Sequence, residues 1–110
     1  MIKLKEIIRP TYLYHVTPEK NISTMKQSGI VPVQCEPSHI SLPAIYLFND
    51  KTIMEDALMN WLGDKFDENE KLIYFTIDPR GIDVQESDVK YEVVSYETIP
   101  WKNVIKIDKI

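Results

Sequence analysis

Strand-like runs crowd the second half of this chain with no helical stretch between them. That ordering constrains the fold more than any other feature. Helical patterns come early, at about residues 18–28 and 51–62. After Gly63 the readable runs are Lys71–Asp78, Val89–Tyr96 and Val104–Ile107, rich in β-branched and aromatic residues. Without βαβ alternation there is no case for a doubly wound parallel sheet. The expectation is an α+β fold with a mostly antiparallel sheet.

Taken in order, Met1–Pro10 reads as an edge strand or an arm that Pro10 ends, and Tyr12–His15 is the first clear strand. Alternation puts Tyr12, Tyr14 and Val16 on one face and Leu13, His15 and Thr17 on the other. Thr17-Pro18-Glu19 has the residues of a helix start, with Thr17 as the cap and Pro18 in the first turn. Gly29 stops that helix, and Pro32 follows. Val33–Pro43 reads as an irregular loop, Ala44–Phe48 as a short apolar strand, and Asp50 as the cap of a helix from Lys51 to Leu62 ended by Gly63. Asp64–Glu70 is an acidic, solvated turn, and Asp78-Pro79-Arg80-Gly81 is a tight one.

The 110 residues suit one domain, 1–110, with one real core. Thirteen basic residues stand against seventeen acidic ones, a net charge of −4. That balance argues against a broad, salt-driven grip on nucleic acid or an anionic membrane surface. Cys35 is the single cysteine, so no internal disulfide forms, and the redox signal points to a cytoplasmic location. Cys35 with His39 gives too few ligands for a metal, and none is expected. No apolar run approaches the length of about eighteen residues that a membrane helix needs.

The candidate reactive groups are His15, Thr17, Tyr46, Glu92 and Glu97. There is no nucleophile elbow, P-loop, dinucleotide-binding glycine run or zinc-ligand spacing. Two of the candidates have plain alternatives: His15 as a buried ring bonded to backbone, and Glu92 as a strand charge facing solvent.

Leu13-Tyr14-His15-Val16-Thr17, Asn21-Ile22, Gln27-Ser28-Gly29-Ile30, Ile45-Tyr46-Leu47-Phe48 and Tyr91-Glu92 with Ile99-Pro100-Trp101 follow one another along the chain. In that order they resemble the ADP-ribosyltransferase fold, in its diphtheria-toxin-like and poly(ADP-ribose) polymerase branch, whose triad is His, Tyr, Glu. The Glu92 to Pro100-Trp101 segment is more similar to the DarT-type enzymes that modify DNA. The resemblance spans about Tyr12 to Ile107. It implies two small, mostly antiparallel sheets forming a split core with two main helices, and a cleft that binds NAD as co-substrate. On that pattern His15 contacts a ribose hydroxyl and Thr17 supports it, the Val16 backbone holds the nicotinamide amide, Tyr46 stacks on the nicotinamide ring, and Glu92 binds the ribose 2′-hydroxyl and orients the acceptor.

The pattern is departed from at Ala57, where the polymerase branch has a second aromatic (Trp61 lies one turn on). It is departed from again at Lys90, which removes a Glu-x-Glu pair, and in the scarcity of arginine, only Arg9 and Arg80. The implied activity is mono-ADP-ribosyl transfer to a protein or nucleic-acid acceptor. The same fold also serves as a catalytically idle binding or inhibitor module, and as an RNA 2′-phosphotransferase-like enzyme.

Overall fold

The computed structural model describes residues 12–33, 43–62, 66, 69–87 and 91–110. The first eleven residues, the Cys35–His39 stretch, Gly63 and Lys90 lie outside them, as does the side chain of Trp61. The elements are β1 (Leu13–Pro18), α1 (Ile22–Ser28), β2 (Ile45–Phe48), α2 (Lys51–Ala57), β3 (Leu72–Ile77), β4 (Gln85–Glu86), β5 (Glu92–Ser95) and β6 (Val104–Lys109). No helix among the described residues is long and apolar enough to cross a membrane.

The fold is α+β, and the described residues form one six-stranded sheet in the order β4-β5-β2-β1-β3-β6 with every pairing antiparallel. This corrects the expectation of two separate sheets, because β1 pairs on both of its sides. The two pairings are unequal. β1 and β3 match over six rows, from Leu13↔Ile77 to Pro18↔Leu72, whereas β1 and β2 share the single row Tyr14↔Phe48. The sheet is continuous there, but held by one rung.

Period-two alternation sorts the side chains into two cores. One face carries Leu13, Ile45, Leu47, Ile73, Phe75, Ile77 and Val93, joined by Ile30 and Ile99, with Ile22 and Met25 of α1 packed against them. The other carries Val16, Phe48 and Tyr74 under Met54 and Ala57 of α2. Ala57 is therefore a helix-to-sheet contact.

Several boundaries move, each for a local reason. Thr17 and Pro18 belong to β1 and do not start a helix. Thr17 sits opposite Ile73, and the Glu19 amide continues the ladder by donating to the Lys71 carbonyl at 2.8 Å. Pro18 suits the last strand position because it has no N–H to pair. A 3-10 turn, Glu19–Asn21, then leads into α1. Asp50 does cap α2, its Oδ1 accepting from the amides of Thr52 (2.8 Å) and Ile53 (3.1 Å). After Ala57 that helix widens into a π-turn, Leu58–Leu62. The strand β4 had no signal in its two exposed polar residues, and β6 runs two residues past the expected Ile107.

The turn after β3 is tied to the start of β6 by Asn103. Its buried Nδ2 donates to the carbonyls of Asp78 (2.8 Å) and Arg80 (2.9 Å), and its own carbonyl accepts from the Asp78 amide at 2.8 Å. Asn103→Ala strands two carbonyls in the turn. A loss of about 2 kcal/mol in denaturant unfolding is expected.

Candidate functional site

The single rung between β1 and β2 decides the geometry of the region that holds His15, Val16 and Tyr46. In an antiparallel pair the backbone groups of successive residues point alternately toward and away from a given neighbour. The Glu19–Lys71 bond sets this phase on β1. Leu13, His15 and Thr17 bond toward β3, while Tyr14 and Val16 direct their N–H and C=O toward β2. Tyr14 meets Phe48 there; the ladder does not continue to Val16. The peptide groups of Val16 thus point toward β2 past the last paired row, an opening in the ladder between the two strands.

The His15 ring closes part of that opening. Its Nδ1 lies 2.9 Å from the carbonyl oxygen of Tyr46, and its face stacks on Phe75 with centroids 6.4 Å apart. A carbonyl only accepts, so Nδ1 carries the proton and the neutral ring keeps its lone pair on Nε2. Half-burial pushes the His15 pKa below its ordinary value of 6.5, against the smaller upward pull of the bonded carbonyl. The plain alternative for His15, a ring bonded to backbone, accounts for one of its nitrogens and leaves Nε2 to explain. Thr17 lies on the same face and is buried, its Oγ1 accepting from Asn21 Nδ2 at 3.2 Å.

Tyr46 and Glu92 come together on the other face. Phe48 pairs with Glu92 and Tyr46 with Val94, so Tyr46 and Glu92 are diagonal neighbours on adjacent strands. Such neighbours stand about 7–8 Å apart, within reach of a tyrosine ring. Tyr46 is 42% exposed and Glu92 is half-buried. Beside them Tyr91 stacks on Phe48, the rings 5.8 Å apart and nearly parallel. Tyr14, Phe48 and Glu92 form one row across three strands, so the Glu92 backbone lies about 10 Å from that of β1.

The arrangement thus brings His15 to the Tyr46 backbone, and the Tyr46 ring to the neighbourhood of Glu92. The imidazole belongs to the α1 face of the sheet and the carboxylate to the α2 face, with the β1/β2 opening between them. Glu97 is exposed in a turn, where its carbonyl accepts from the Ser95 hydroxyl at 2.7 Å. Trp101 packs edge-on against Phe75 in the core, whereas Tyr96 is exposed. Arg80 is taken up by a two-pronged contact with Asp78. Sequence reasoning had missed Phe75 as the support of the His15 ring, because nothing in the sequence alone names a partner sixty residues away.

Comparison with known proteins finds no family model that matches this chain and no curated protein with significant similarity to it.

Proposed function

We propose that this protein is an NAD-dependent mono-ADP-ribosyltransferase whose reaction centre is the β1/β2 opening together with Tyr46 and Glu92. The observation that carries the reading is the single-rung β1/β2 junction. It leaves the Val16 peptide and the His15 ring beside the Tyr46 backbone, one strand from a half-buried carboxylate on the sheet's other face. The donor set suits the dinucleotide: peptide N–H and C=O directed into the opening match a carboxamide, and an imidazole acceptor matches a ribose hydroxyl.

NAD supplies an ADP-ribosyl group whose transfer expels nicotinamide. Each residue has a role in that transfer. The Val16 peptide holds the carboxamide, and the exposed Tyr46 ring lies against the planar cationic heterocycle. His15 Nε2 accepts from a ribose hydroxyl and fixes the sugar. Glu92 stabilises the positive charge that develops on the ribose as the glycosidic bond lengthens, and it orients the incoming acceptor. The acceptor is a protein or a nucleic acid.

Incubation with NAD labelled in the nicotinamide ring tests the reading. Released nicotinamide supports it; no release together with no binding of NAD at millimolar concentration overturns it. The protonation state of His15 gives a second measurement. Below its depressed pKa the ring charges, Nε2 becomes a donor, and the acceptor for the ribose hydroxyl is lost. The fall in NAD affinity on acidification, measured calorimetrically, is therefore expected at lower pH than an ordinary imidazole would give. Folding stability follows the same sign. A depressed folded-state pKa contributes stability above the unfolded value, and that contribution is lost as pH falls through the folded one. His15→Gln removes both pH effects.

A further inference from the structure

The outer edge of β6 carries a self-complementary pattern. β6 ends the sheet, and among the described residues no strand lies beyond it. The Ile110 amide donates to the Leu72 carbonyl at 3.2 Å, which sets the phase: residues 106 and 108 bond toward β3, and residues 107 and 109 point their N–H and C=O outward. Ile107 is 39% exposed and Ile105 51%. Lys106 and Asp108 lie together on the α2 face, 3.7 Å apart at their charged ends.

We infer that β6 is a docking edge for a second copy of this chain, paired antiparallel about a two-fold axis through Ile107. Strand phase and charge select that register. Centred on Ile107, the outward N–H and C=O of the two Ile107 residues bond each other, and their side chains meet. Lys106 of each copy then stands opposite Asp108 of the other, so two cross-chain ion pairs form. Centring on Lys106 or Asp108 keeps the strand phase but sets lysine against lysine or aspartate against aspartate across the axis. Shifting by one residue sets an outward group against an inward one. Lysines on an edge strand ordinarily block pairing; here the same lysines permit one register and oppose its neighbours. The contact is isologous, joins two sheets into one, and is small enough to be a weak, concentration-dependent dimer. It lies two strands away from the β1/β2 opening and does not depend on the enzymatic reading.

Sedimentation equilibrium of the full chain through the micromolar range tests it. The wild type is expected to show a monomer–dimer equilibrium. Lys106→Asp opposes two aspartates across the axis in both directions and should weaken the dimer about tenfold. The double variant Lys106→Asp, Asp108→Lys restores opposite charges and should restore association. Circular dichroism checks that each variant keeps the native fold. A wild type that stays monomeric, a Lys106→Asp dimer of unchanged strength, or a folded double variant that stays monomeric overturns the inference.

Discussion

Glu92→Gln is expected to lower the rate of nicotinamide release by about 10²–10³-fold, the usual cost of removing one electrostatic contact made in the transition state. Affinity for NAD should change little. Glutamine keeps the size and one acceptor oxygen of the side chain, so a ground-state hydrogen bond to the ribose survives; the negative charge does not. The loss therefore belongs in kcat, with KM nearly unchanged. Single-turnover assays of nicotinamide release and calorimetric titration of NAD separate the two quantities. Glu97→Gln is the matched control, since Glu97 is exposed in the turn beyond β5, and it should retain full activity. A fully active Glu92→Gln removes Glu92 from catalysis, whatever the chain binds.

The largest expected effect on stability is at Gly29. Its backbone has φ 79° and ψ −174°, a region open essentially to glycine alone. A Cβ added there would lie 2.6 Å from the carbonyl oxygen of Ile99 and 3.0 Å from Thr98 Cγ2. That carbonyl cannot withdraw cheaply, because Ile30 and Ile99 exchange two backbone hydrogen bonds of 2.9 Å and both are fully buried. Gly29→Ala must open this bridge or strain it, and a loss of about 3 kcal/mol is expected, seen as a fall in Tm of about 15 °C. Gly81 is the comparison. Its φ is 80°, yet nothing lies within 4 Å of an added Cβ, so Gly81→Ala should cost only about 1 kcal/mol. Equal effects at the two positions would remove the Ile99 contact from the explanation.

These two glycines show how far the sequence carries. Gly29 after a helical stretch was readable as a stop, and Gly81 after Asp-Pro-Arg as a turn, because both follow from local backbone preference. The carbonyl facing Gly29 was not readable, since Ile99 is seventy residues away. The faces of β1 were legible from alternation, and so was the Asp50 cap. Thr17-Pro18 misled because cap chemistry and strand-end chemistry use the same residues, and the pairing with β3 decided between them. Ile107 and its charged neighbours were visible as a short strand, but only the Leu72–Ile110 bond shows which of them face outward.

By itself, then, the sequence determined the class of fold, the order of its main elements and the identity of the candidate groups, all of which depend on residues close together along the chain. Tertiary structure decided that β1 and β2 share one rung, that the His15 proton sits on Nδ1 against Tyr46, and that Tyr46 and Glu92 are diagonal neighbours. The physical reason is register. A strand's composition states that it will pair, but its partner and its phase are fixed by which buried faces match across the whole sheet.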